Sequence, residues 1–293
     1  MAQAALHNGP LLGERDGLRV ISCHACGFAH LETLPDAAAL ADYYVKDFWR
    51  EKPGALERIE EQREWWHVIY DDWMDCIEQY VTGRDLLDVG AGYGFFIDAV
   101  HERGWNPWGI EPNRVACEYA DKKLGWPLFN GSWEDWDYGW GFNFISALWL
   151  IEHLPDPFRF LRWCHARLKE GGVLLLVAPN EWTARQARAN NIVKNRYWFI
   201  DKTHCCYFNQ ASLSNLLGRT GFKTIEWLTT YPMEDFILNG TGNYVDNPEI
   251  GPKCHDIVEH MDLNRSRDER LAYYANLARH GEGRDIVVIA TRA

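Results

Sequence analysis

From residue 85 onward, short apolar runs alternate with stretches whose apolar side chains recur every three or four positions, the pattern of parallel strands joined by crossover helices. The runs predict seven strands, at residues 85–89, 107–111, 127–130, 142–148, 172–178, 224–230 and 286–291. Punctuation supports the helices between them. After the fourth run, Asp156 is placed to cap, Pro157 suits a first turn and Gly171 is expected to follow the last turn. A further helix is expected from Asn209 to near Gly218. Ahead of the strands, Leu56, Ile59, Trp66, Ile69, Trp73, Ile77 and Tyr80 build one helical stripe, expected to lie across the edge of the main domain. Near the end, Ser266 and Glu269 have capping-box spacing, and Leu271, Tyr274 and Ala278 form a stripe that stops before Gly281.

The pattern implies an α/β, Rossmann-like architecture: a seven-stranded, mostly parallel sheet with helices on both faces. Three segments are expected. Residues 1–35 form a small N-terminal element, irregular or hairpin, and residues 36–82 a helical segment. Residues 83–293 form the main domain, with insertions at 181–207 and 232–284.

Composition narrows the partners. At 293 residues, 47% hydrophobic and 25% charged, the chain has an ordinary globular make-up and can bury one sizeable core. A net charge of −12 repels phosphate backbones and anionic lipid, so neither nucleic acid nor membrane is expected as a partner. There is no basic-then-apolar leader pattern and no apolar run near the roughly 20 residues that span a bilayer, which predicts a cytoplasmic protein. Eight cysteines in that setting read as thiols or metal ligands. Fifteen tryptophans read first as core, with a fraction lining a pocket.

The first chemical motif is Asp88-Val-Gly90-Ala91-Gly92-Tyr-Gly94, between a strand and a helical run. Glycines there let the backbone turn sharply against a ligand, and the following helix presents free N–H groups. Such a turn alone also serves dinucleotides or merely closes a loop. Glu111, a little over twenty residues on at the end of the next strand, can accept protons from both ribose hydroxyls. A dehydrogenase shares that carboxylate, but its glycines follow G-x-G-x-x-G, whereas this chain reads G-x-G-x-G after an acidic residue.

The ordered runs LLDVGAGYGFFIDAV, WGIEPN and SALWLIEHLPDPFRFLRWCHARLKEGGVLLLVAPN resemble the motifs of class I S-adenosylmethionine (SAM)-dependent methyltransferases. The likeness is to the group holding the ubiquinone-biosynthesis O-methyltransferases and bacterial sugar methyltransferases, over roughly residues 80–230. It implies that Asp88 and the turn Gly90, Ala91, Gly92 and Gly94 hold the methionine moiety, and that Glu111, with Pro112 beside it, holds the ribose. It places Ser132 and Trp133 at the adenine, and Leu148 and Trp149 beside the cofactor's amino-acid end. Plain core packing is the competing reading for both tryptophans.

Methyl transfer from a sulfonium mainly needs alignment, and a hydroxyl or ammonium acceptor must also lose a proton. His153, after the fourth strand, and His204, in a segment resembling the family's H-x-x-x-F, are the candidate bases; each could instead only bond loop backbone. Some ubiquinone-pathway relatives carry a metal-binding E-x-x-E-H here. Trp149 replaces its first acid, so no metal is expected.

Cys23-His-Ala-Cys26-Gly-Phe resembles the second half of a C-x-x-C…C-x-x-C zinc element that precedes some sugar C-methyltransferases. The first pair is missing. His7 stands roughly where it might substitute and His30 is nearby, but a zinc-free hairpin is the favoured reading.

The insertion 181–207 is locally basic, and Arg185, Arg196, Tyr197 and Trp198 are predicted to bind an anionic acceptor such as a nucleotide-linked or phosphorylated sugar. A solvated, charged loop is the alternative. The second insertion would serve as a lid or an oligomer contact. The sequence thus predicts a SAM-dependent enzyme that methylates oxygen or nitrogen of a sugar, nucleotide-sugar or biosynthetic intermediate, with a histidine base. C-methylation of a keto-sugar, a nicotinamide-dependent oxidoreductase and a non-catalytic SAM-binding protein stand as alternatives.

Overall fold

The computed structural model describes residues 7–137 and 141–292. Strands β1 (Leu11–Arg15), β2 (Leu18–Ser22) and β3 (Ala29–Leu31) come first, followed by helices α1 (Ala37–Lys46), α2 (Ala55–Glu61) and α3 (Arg63–Ile77). The alternating part runs β4 (Asp85–Val89), α4 (Phe95–Glu102), β5 (Asn106–Glu111), α5 (Arg114–Tyr119), β6 (Phe129–Asn130), β7 (Phe142–Leu148), α6 (Pro157–Arg167) and β8 (Leu168–Pro179). Then come α7 (Ala184–Asn190), β9 (Cys206–Tyr207), α8 (Gln210–Arg219), β10 (Phe222–Thr229), α9 (Glu234–Leu238), α10 (Gly251–Leu263), α11 (Arg267–Arg279) and β11 (Asp285–Arg292).

The main sheet has seven strands in the order β10-β11-β8-β7-β4-β5-β6, and β11 alone runs antiparallel to its neighbours. Side chains alternate between its faces. Leu86, Phe144, Val173, Leu175, Val177, Val287 and Ile289 pack with α3 and α4 on one face. Leu87, Ile145, Ala147, Leu174, Leu176, Val288 and Ala290 pack with α6 and α8 on the other. Burial of both faces is why the strands read as near-continuous apolar runs.

Three local expectations change. The stripe at 56–80 divides into α2 and α3 at Gln62, and α3 lies on a sheet face rather than across an edge, because Trp65, Ile69, Trp73, Met74 and Ile77 enter the same core as the strands. Helix α6 stops at Arg167, since Leu168 is already extended and starts β8; Gly171 falls within that strand at φ +69°. The third strand shrinks to Phe129–Asn130; Pro127 has no N–H for a ladder.

The N-terminal hairpin docks where no local pattern points. Its β3 pairs with β9 from the first insertion, matching Ala29 with Tyr207 and His30 with Cys206, to make a second sheet β1-β2-β3-β9. In the second insertion the expected capping box of Ser266 and Glu269 opens α11. Among the described residues no helix is long and apolar enough to cross a membrane.

Candidate functional site

Strand β4 ends in the glycine turn, and Gly90 and Gly92 both adopt left-handed backbone, at φ +77° and +53°. Without a Cβ they take this conformation at little cost. The N–H groups of Gly90 and Ala91 donate to the Ile110 carbonyl at 2.9 and 3.0 Å, which fixes the turn against β5. Glu111, at the end of β5, accepts from Gly92 N–H through Oε2 and from Asn113 N–H through Oε1, each at 2.9 Å. Asp88 accepts the Ser146 hydroxyl at 2.7 Å. Both carboxyls are buried, and burial pushes each up to about 7 despite these hydrogen bonds.

This turn forms one wall of a cavity of about 960 Å³. Asp88, Gly90, Ala91, Gly92, Glu111, Pro112, Ser132, Trp133, Leu148 and Trp149 all line it, as do both candidate bases, His153 and His204. Gly94 does not; at φ +85° it starts α4 instead. The two tryptophans serve as core and as lining together. Trp149 donates its indole N–H to Asp285 at 3.1 Å and packs edge-on against Trp66, while Trp133 lies against Phe160.

Glu152 and His153, both buried, and the part-buried His204 bring polar groups to the same cavity. His153 donates from Nδ1 to the Thr203 carbonyl at 2.8 Å, which leaves Nε2 as an acceptor 3.8 Å from Glu152 Oε1. His204 stands beside it, ring centroids 5.0 Å apart, with Nδ1 3.9 Å from Glu181 Oε1. Neither His204 Nδ1 nor Glu152 Oε2 has a hydrogen-bond partner among the described residues. Burial holds both histidines below their ordinary range, so both are neutral, and it raises Glu152 well above the carboxylate range. Donor atoms of Glu152, His153 and His204 lie within 4.8 Å of one another, so this trio also has the reach to hold a metal ion.

The remaining wall was not anticipated. Leu40, Tyr44, Phe48, Trp49 and Lys52, from α1 and the segment after it, close over the cavity, with the Lys52 ammonium 3.7 Å above the Phe48 ring. A cluster of aromatics at 43–49 was the available signal. Arg185, Arg196, Tyr197 and Trp198, expected at the acceptor, do not line the cavity. The Arg185 guanidinium is engaged by Asp235 and Glu282, and Tyr197 and Trp198 pack with Phe199 against the N-terminal sheet.

A family model described as a methyltransferase domain matches residues 60–226, more than half of the chain and the whole of the glycine turn, Glu111 and His153–His204 region. The chain belongs to the class I SAM-dependent methyltransferases. It is 27% identical over 135 residues to a ubiquinone biosynthesis O-methyltransferase of Coxiella burnetii, a match covering 40% of this chain and 58% of that protein. The chain therefore spans somewhat under two thirds of the length of such relatives. A SAM-dependent methyltransferase from Archaeoglobus fulgidus shares the fold at TM-score 0.52 and 17% identity, over 84% of this chain and all of that one. Magnesium protoporphyrin IX methyltransferase of Synechocystis PCC 6803 does so at TM-score 0.53 and 12% identity, over 88% and 100%.

The family's cofactor fits this methyltransferase on the chain's own features. Two carboxyls whose charge is penalised by burial await a partner with cationic and hydroxyl groups, and the glycine turn leaves room beside them. Glu111→Gln replaces one carboxylate oxygen with an amide nitrogen, which cannot accept a backbone N–H, so one of the two N–H groups of Gly92 and Asn113 loses its acceptor. The variant is expected to bind S-adenosylhomocysteine about tenfold more weakly by calorimetry. Unchanged affinity would take Glu111 out of the cofactor site.

Proposed function

We propose that this methyltransferase moves the methyl group of SAM to an oxygen or nitrogen of a small acceptor, with His204 taking the acceptor's proton. The observation that carries this reading is a shared cavity. The glycine turn, Asp88 and Glu111 line it together with His153, His204 and Glu152, and two polar atoms of that trio have no hydrogen-bond partner among the described residues. SAM, when bound, supplies a methyl group already activated by its positively charged sulfur. The protein's task is alignment and proton removal.

His204 is the better placed base. Its Nδ1 has no partner among the described residues and stands 3.9 Å from Oε1 of Glu181, a carboxyl that burial pushes up to about 8. His153 has its Nδ1 committed to Thr203 and its ring wedged against Tyr44 and Phe48, so it positions its neighbours. Lys52 is a cation on the cavity wall and supports an anionic acceptor, such as a nucleotide-linked or phosphorylated sugar, whereas Arg159, also on that wall, is engaged by Glu134. No metal belongs to this reading, because the position of the missing first acid is held by Trp149, turned toward Asp285.

The direct test is release of S-adenosylhomocysteine from SAM across a panel of small hydroxyl and amine acceptors, in EDTA. Turnover with at least one acceptor is expected; turnover recovered only by magnesium, or none with any acceptor, counts against the proposal.

The pH dependence separates the two sets of groups that line the cavity. Asp88 and Glu111, raised to about 7, take up protons as pH falls through that value, so cofactor affinity weakens on the acid side. His204 is held low by burial and stays unprotonated there. Between about pH 8 and pH 6, KM for SAM is expected to rise while kcat at saturating SAM stays level. A kcat that falls with an ordinary histidine midpoint at constant KM would contradict this assignment.

A further inference from the structure

We propose that His7, Cys23, Cys26 and His30 form a structural zinc site that clamps the N-terminal hairpin. Each of the four offers one donor atom, and all four atoms lie within 4.8 Å of one another. His7 Nδ1 is 3.1 Å from His30 Nε2, 3.4 Å from Cys26 Sγ and 3.8 Å from Cys23 Sγ. Tetrahedral zinc, with Zn–N of about 2.0–2.1 Å and Zn–S of about 2.3 Å, sets nitrogens about 3.3 Å apart and nitrogen and sulfur about 3.6 Å apart. The observed spacings fall within a few tenths of an ångström of those edges.

Hydrogen bonding alone does not account for the arrangement. A single imidazole nitrogen has one proton or one lone pair, yet His7 Nδ1 meets three polar atoms. A cation at the centre satisfies all three. His30 is already oriented for it: Nδ1 donates to the Leu31 carbonyl at 2.7 Å, which leaves the Nε2 lone pair pointing into the cluster. Cys23, Cys26 and His30 are buried, and His7 closes the cluster from the solvent side. Two thiolates and two neutral imidazoles would leave the site without net charge around a divalent ion.

The surrounding backbone is built as a turn around the pair of cysteines. Gly27 donates its N–H to the Cys23 carbonyl at 2.9 Å and sits at φ +79°, and Arg219 from α8 donates to the Cys26 carbonyl at 2.6 Å. The zinc-free hairpin favoured on sequence rested on the missing first cysteine pair; here two histidines from outside the motif stand in that place. The clamp also reaches the proposed acceptor site, because His30 pairs with Cys206 in β9, two residues beyond His204.

The test is zinc content of the purified full chain, together with cobalt(II) uptake by metal-stripped wild type. One zinc per chain is expected, with thiolate-to-cobalt charge-transfer absorption on substitution. Cys26→Ser and His30→Ala are each expected to lose the bound zinc. Wild type that carries no zinc after expression in zinc-supplemented medium and shows no cobalt–thiolate absorption overturns the proposal. Full zinc content in both His7→Ala and His30→Ala overturns the four-ligand set. The cobalt measurement uses wild type alone, so a variant that fails to fold leaves the question decidable.

Discussion

His204→Ala is expected to lower kcat by roughly a hundredfold or more while leaving S-adenosylhomocysteine affinity within about twofold. The split follows from position. His204 lines the cavity from a segment remote in sequence from the glycine turn, its Nδ1 without a partner among the described residues and a buried carboxyl, Glu181, 3.9 Å away. Removing it takes away the proposed proton acceptor but no group proposed to hold the cofactor. Glu181→Gln is expected to show a smaller fall in kcat, since it alters only the group beside the ring, a carboxyl that burial already pushes up to about 8. Full kcat in His204→Ala, with loss in His153→Ala, would transfer the base to His153.

The second large effect concerns stability. Arg270 of α11 is buried and donates to both oxygens of Asp72 in α3, at 2.7 and 2.9 Å, and to the carbonyls of Asp262 and Arg265. Beside it Asp262, fully buried, accepts from Trp65 Nε1 and the Tyr274 hydroxyl. This polar network ties the second insertion to the helix that backs the main sheet. Arg270→Ala leaves Asp72 buried without its cation, at a cost of about 3–5 kcal/mol. The melting temperature is expected to fall by roughly 10 °C. The double variant Asp72→Leu, Arg270→Met is expected to recover much of the loss, because it removes both charges and refills the space. A melting temperature unchanged in Arg270→Ala would show that the network does not hold the insertion.

How far the sequence led depended on the range of the interactions involved. The strands could be read because both sheet faces are buried, and the convergence of the glycine turn, Asp88 and Glu111 on one cavity could be read because they belong to consecutive strands. The proposed acceptor site draws on distant segments. Tyr44 and Phe48 reach His153 from about a hundred residues away, and nothing in their own neighbourhood points there. Arg185 looked free by local charge count, but its partners Asp235 and Glu282 lie 50 and 97 residues along the chain. His7 is 16 and 19 residues from the two cysteines it meets, and only the turn of the hairpin brings it back.

The central claim, that the glycine turn and Glu111 hold the methyl donor, is tested most directly by titrating the chain with S-adenosylhomocysteine in a calorimeter and repeating the titration with NAD. One-to-one binding of S-adenosylhomocysteine with a dissociation constant on the order of micromolar, and no heat from NAD, is the expected result. Binding of NAD without S-adenosylhomocysteine would contradict it.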